Sequence, residues 1–286
     1  MLREVHKLYF PSQKHIHFKH VKCNELLSLA EHLSSFKEEL SDKFDNDQQI
    51  LETYSYLNRI FFTLCGSFLP YYEVMNKNTE KELISKLSSL KASYPDLFDK
   101  IGKSLAMSIK HVLETKQNYM TDFLCSHINK NHIRSYKIAL VTKRVLSPEE
   151  KDVFNRKINP ILNITHYTEN SFRKSVTMFD EVIFVGTPNY FGSFAVNTLK
   201  AAHTYFISYE MFSNRLIPKS LFIDIHQQDI ISTVYLNVSI DKEMKKVNRI
   251  EINQEDLVKS AVQKVLAEQN KNEAGGVHHA VKASVV

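Results

Sequence analysis

The chain has 286 residues, 43% of them hydrophobic, which is enough to bury a real core and marks a globular protein. A formal net charge of +5, from 37 Lys and Arg against 32 Asp and Glu scattered along the chain, permits nucleic-acid binding without arguing for it. Three widely separated cysteines, Cys23, Cys65 and Cys125, supply neither a disulfide framework nor a zinc knuckle, so a cytoplasmic location is expected.

The start, MLREVHKLYFPSQKHIHFKH, has no apolar stretch of signal-peptide length. His15, His17 and His20 lie close together in it. In a strand His15 and His17 share a face and His20 points away, and with only Cys23 at useful spacing no metal site is expected. These residues, like His278 and His279 near the tail, are read as surface histidines.

Helical spacing then governs the first half. Leu26, Leu27, Leu29, Ala30 and Leu33 form one stripe, and Ile50, Leu51, Tyr54, Leu57, Ile60, Phe61 and Leu64 form a heavier one. IFFTLCGSFLPYY is too short to span a bilayer and is read as core. Pro70 closes the second helix, Thr79 with Glu82 reads as a capping box, and Pro95 suits the first turn of the next helix. From Leu97 to Ile128 the helical phase is kept with no proline, so one unbroken helix to about residue 130 is expected.

Near residue 135 the texture changes to short apolar runs alternating with amphipathic segments. YKIALVT reads as a buried strand, Ser147-Pro148-Glu149-Glu150 as a helix start, ILNITHYT as a strand and SFRKSVTMF as a short helix. EVIFVG is a third strand, SFAVNTLKAA a helix and HTYFISYE a fourth strand, an order that implies parallel pairing. DIISTVYLNVSI is expected at a sheet edge, and EDLVKSAVQKVLAEQ is an amphipathic helix with Val258, Ala261, Val262, Val265 and Leu266 on one face. AGGVHHAVKASVV adds a glycine turn and an apolar strand that either docks back on the domain or leads into a further module. The expected class is α+α/β, with a helical N-terminal region (1–134) packed on a Rossmann-like or RecA-like parallel sheet (135–240) and a C-terminal segment (241–286).

In an open α/β sheet, ligands bind beyond the carboxyl ends of the strands. That rule selects Thr142, Lys143 and Arg144 after the first of these strands, and Thr168, Glu169, Asn170 and Ser171 after the second. Gly186, Thr187, Pro188 and Asn189 follow the third, and Tyr209 and Glu210 the fourth. Together these turns offer cations, hydroxyls, a flexible glycine and a carboxylate for an anion or nucleotide, with no cofactor specified.

GTPNYFG lacks the lysine of a Walker loop and the spacing of a GxGxxG fingerprint, and no GxSxG, HExxH, HRD or DFG string occurs. The backbone reading is preferred: Gly186 permits a positive φ at a strand exit, Pro188 stops the strand, and Gly192 with Ser193 opens the next helix. A second candidate set, Arg173, Lys174, Arg215 and Lys219 with the aromatic Tyr190, has the composition of a single-stranded nucleic-acid groove.

The element order from residue 136 to 210 resembles the second RecA-like lobe of superfamily 2 helicases, in which a D-x-V-I-x-x-x-x-P strand precedes a helix carrying ATP-contacting arginines. DEVIFVGTP matches that strand. SFAVNTLKAAHT, with Lys200 and no arginine, does not match the Gln-x-x-Gly-Arg-x-x-Arg helix, and no Walker loop precedes it, so the resemblance implies a lobe that does not hydrolyse ATP. FVGTPNYFGSF and AAHTYFISYE, following a helical region, also resemble the DrmE component of the bacterial DISARM anti-phage system. That resemblance implies a defence-associated accessory protein whose partners are other protein subunits. The expected function is therefore a non-catalytic or degenerate-enzyme binding module of a bacterial assembly, without a membrane partner. A nucleotide- or sugar-phosphate-acting enzyme and a single-strand binder remain the alternatives.

Overall fold

The computed structural model describes residues 13–44, 47–130, 136–196, 198, 200–213 and 237–240. Six strands, β1 (Gln13–Val21), β2 (Lys137–Thr142), β3 (Asn163–Thr168), β4 (Glu181–Val185), β5 (His203–Tyr209) and β6 (Asn237–Ile240), form one sheet in the order β3-β2-β4-β5-β1-β6. Every adjacent pair is parallel. The class is α+α/β, and β2 and β4 are buried on both faces, as their continuous apolar runs require.

The register sorts side chains between the two faces. Ile16, Phe18, Ala139, Val141, Val182, Phe184 and Phe206 line one face and pack against Phe172, Phe179, Phe191 and Ala195. Phe184 is the hub, stacked on Phe206 at 5.2 Å, 5.0 Å from Phe191 and edge-on to Phe172 at 5.7 Å between ring centres. These partners come from three short helices, α9 (Glu169–Lys174), α10 (Pro188–Phe191) and α11 (Ser193–Val196).

The opposite face is covered by α8 (Pro148–Lys157) and by the N-terminal helices. These are α1 (Asn24–Lys43), α2 (Gln48–Gly66), α3 (Tyr71–Val74), α4 (Lys77–Ser93), α5 (Pro95–Leu97), α6 (Lys103–Glu114) and α7 (Tyr119–Ile128). Phe154 of α8 packs edge-on against both Phe68 and the β3 residue His166. In α1 the buried residues Leu26, Leu29, Ala30, Leu33, Phe36 and Leu40 recur at helical spacing, matching the expected stripe.

Several local expectations need correction. The segment that carries the clustered histidines is strand β1, which lies between β5 and the edge strand β6, so α1–α7 are the connection between two strands of one sheet. His15 and His17 share a face and are half-buried against neighbours, where a surface position was expected. The long helix after Pro95 is interrupted. A π-helical turn (Phe98–Gly102) joins α5 to α6, and α6 ends at Glu114.

A new helix, α7, then begins because the Asn118 side chain accepts from the Thr121 amide at 3.0 Å and donates to the Ser67 and Leu69 carbonyls at 2.8 and 2.7 Å. A side chain that satisfies distant backbone in this way competes with helix continuation. The cap of α4 is Asn76, whose side chain accepts from the Asn78 and Thr79 amides at 3.0 and 2.9 Å, so Thr79 is not the cap. Helix α2 ends at Gly66, ahead of Pro70, which instead precedes α3. SFRKSVTMF supplies a short helix as expected, ending at Lys174, whereas SFAVNTLKAA supplies only a short one, ending at Val196. Only the end of DIISTVYLNVSI is described, as the parallel strand β6, and the expected helix and strand within 241–286 lie outside the described residues. Among the described residues, no helix is long and apolar enough to cross a membrane.

Candidate functional site at the carboxyl edge of the sheet

The connection from β2 leads to β3 on one side, over one face of the sheet through α8, and the connection from β4 leads to β5 on the other side, over the opposite face through α10 and α11. The exits of β2 and β4 therefore diverge, which is the topological switch point where such sheets open a crevice. The turns holding Lys143 and Gly186 are its two sides.

Each candidate residue of the turn after β2 is internally engaged. Thr142 is buried and donates from Oγ1 to the Arg144 carbonyl at 2.7 Å. Lys143 forms an ion pair with Glu169, and its Nζ lies 5.1 Å above the Tyr190 ring and 5.5 Å above that of Phe191. The Arg144 guanidinium clasps both oxygens of Glu150, with Nη1 to Oε2 at 2.6 Å, and Nη2 also donates to the Gly66 carbonyl at 2.9 Å.

Glu150 sits with only 3% of its side chain exposed and also accepts from Ser67 Oγ at 3.2 Å, the Phe68 amide at 3.0 Å and the Ser147 amide at 3.0 Å. Burial pushes its carboxyl upward, but the Arg144 hydrogen bond and the Phe68 and Ser147 amides outweigh that and hold it below the ordinary carboxylate value. Arg144 and Glu150 thus join the start of α8 to the end of α2.

After β3, Thr168 and Ser171 cap α9 reciprocally, and Glu169 receives Lys143 on one oxygen and Arg173 on the other at 2.6 Å. The Arg173 guanidinium lies 4.0 Å above the Phe194 ring. Lys174 is exposed.

After β4, Gly186 has φ +140°, a region L side chains rarely adopt, and an added Cβ would lie 2.8 Å from Tyr190 Cδ1. Its amide donates to the Ile207 carbonyl at 2.7 Å. Thr187 is buried, Pro188 takes the first position of α10, Asn189 is exposed, and Gly192 ends α10 at φ +78°. Both glycines are thus explained by backbone geometry, as the sequence reading preferred.

After β5, Tyr209 is buried with its hydroxyl 2.8 Å from that of Tyr71, and burial raises both phenols well above their ordinary value. Glu210 joins β1, its amide donating to the Val21 carbonyl at 3.1 Å.

The structure therefore brings together Lys143, Glu169, Arg173, Gly186 and Tyr190 at the β2–β4 crevice, with Phe191 and Phe194 beneath the cations. It places Arg144 in a structural clasp and Tyr209 in the core. Arg215 and Lys219 lie outside the described residues. Sequence reasoning missed the partner roles of Glu150 and Phe194, although the position of Glu150 in the first turn of an expected helix was a usable signal. Among the described residues, no group of three or more His, Cys, Asp or Glu is arranged to hold a metal ion. In comparisons with known proteins, the chain matches no family model, no curated protein and no solved structure.

Proposed function

We propose that this chain is a non-catalytic binding and scaffold module built on a ligand-competent type of α/β sheet. The observation that carries the reading is the commitment of the charged groups at the carboxyl edge to one another: Lys143 and Arg173 to Glu169, and Arg144 to Glu150. A catalytic edge keeps cations and acids directed at a reacting group, whereas these are engaged with one another. The resemblance to DrmE supports a place in an anti-phage assembly with protein subunits as partners. Deleting the chain from its bacterial host is expected to lower phage resistance, and unchanged plaque counts would remove that part of the proposal.

The test of the scaffold reading is a thermal-shift screen of the full chain against nucleoside phosphates and sugar phosphates. No concentration-dependent rise in melting temperature is expected, whereas a ligand bound to the folded state alone would stabilise it in proportion to the logarithm of its concentration.

One observation favours a second reading, recognition of a phosphate-bearing ligand in the β2–β4 crevice: two cations converge there on a single carboxylate. Under that reading Glu169 occupies the position of a ligand anion, and Glu169→Gln gains a salt-sensitive phosphate affinity that the native chain lacks. The single-strand nucleic-acid reading has less support, because Arg173 is paired and Tyr190 is covered by Lys143.

A further inference from the structure

A separate ionisable cluster lies at the amino-terminal edge of the same sheet. Parallel pairing sets His15 beside His203 and His17 beside Tyr205, and sets Glu181 beside His203 from the other side. The His15 and His203 ring centres are 5.0 Å apart and those of His17 and His203 5.7 Å, with planes tilted by 13° and 14°. His17 Nε2 is 3.4 Å from His203 Nδ1, and the His17 ring stacks on Tyr205 at 4.4 Å. Among the described residues no group of three or more His, Cys, Asp or Glu is arranged to hold a metal ion, so these near-parallel rings are a contact between strands.

We propose that His15, His17 and His203 form a pH-sensitive clasp between β1 and β5, in which stacked neutral imidazoles hold the strands together and accumulated protons drive them apart. One proton is accommodated, because an imidazolium and an imidazole share it across the His17–His203 contact. A second places like charges on neighbouring rings in a half-buried setting.

Glu181 accepts from Tyr136 at 3.4 Å and contacts His127 of α7 at 2.9 Å, and Asp180 accepts from the Lys137 amide at 2.7 Å. Lys19 lies further along the same face of β1, and Ser239 of β6 is aligned with His15. Burial first, and then the nearby His15, lower the His203 pKa from its ordinary 6.5, and together they outweigh the Glu181 carboxylate, which raises it. The unfolded chain therefore binds more protons below that value. The stability is complete above about pH 6.5 and declines as pH falls through it.

The test is amide hydrogen exchange on the full chain at about pH 7.5 and about pH 5.5, corrected for intrinsic rates, with the β2 amides as internal reference. Acidification is expected to lower protection of the amides from His15 to Phe18 by about tenfold more than that of Ile138 to Val141, and His17→Gln with His203→Gln is expected to abolish the difference. An equal loss in β1 and β2, or the same selective loss in the double variant, overturns the proposal. Imidazole titration by NMR on the native chain decides the matter if the variant does not fold. Split transitions, the last below the ordinary histidine value, support the clasp, and three coincident transitions at that value overturn it.

Discussion

Arg144 and Glu150 show how a residue chosen for its charge can serve a different purpose once its surroundings are known. The turn after β2 was a rational place for a ligand-binding cation, yet the guanidinium is held by a buried carboxylate that has three other donors. Replacing Arg144 by Met leaves that carboxylate short of its strongest partner and is expected to destabilise the chain by about 2–3 kcal/mol in urea unfolding. Because the folded Glu150 carboxyl is held below its ordinary 4.5, its stabilisation is present above that pH and is lost as the pH falls through the lowered value. Arg144→Met is therefore expected to flatten the acid limb of a stability–pH profile as well as lower it. At Gly186 the constraint is steric. Ala there must take φ +140° and meet the Tyr190 ring, and a loss of about 1–3 kcal/mol in the same assay is expected.

At the scale of elements, what was legible depended on how far away the deciding partner lay. Helix α8 was readable because its start is local: Ser147 accepts from the Glu150 amide at 3.2 Å, Glu150 returns to the Ser147 amide, and Pro148 occupies the first turn. Ser147→Ala is expected to lower the unfolding midpoint by an amount equivalent to about 1 kcal/mol. The break between α6 and α7 was not readable. Apolar phase continues across it, and the groups that draw Asn118 out of a helix are carbonyls of Ser67 and Leu69, far away in the chain.

The same holds for the tie between α3 and β5, where two buried hydroxyls meet at 2.8 Å from Tyr71 and Tyr209. A double-mutant cycle of Tyr71→Phe and Tyr209→Phe is expected to show a favourable coupling of about 1 kcal/mol, because either single change leaves a buried hydroxyl without this partner.

For the whole molecule, the position of β1 governs what can fold alone. Residues 135–240 contain β2 to β6, but β5 and β6 lie on either side of β1, which is outside that range. Expressed by itself, the segment leaves the β5 edge unpaired and uncovers Ile207 and Tyr209, both buried in the full chain. It is expected to show no cooperative thermal transition by circular dichroism, in contrast to the full chain. The sequence read the parallel α/β alternation correctly from its texture. It did not reveal that the first strand came before the helices, because HIHFKHV is short and alternating, and its histidines suggested a surface position.

The amino-acid sequence by itself determined the class of the fold, the starts of α8 and α11, and the need for glycine at a strand exit, because each depends on periodicity or on groups a few residues apart. Tertiary structure alone decided that Arg144 is a clasp, that Lys143 and Arg173 meet on Glu169, and that His203 completes a stack with His15 and His17. Lys143 with Glu169, Glu150 with Ser67 and Phe68, and His17 with His203 are distant in the chain; Arg144 with Glu150 and Arg173 with Glu169 are near neighbours, but the burial and counter-charges that set what those side chains do arise only when the strands come together.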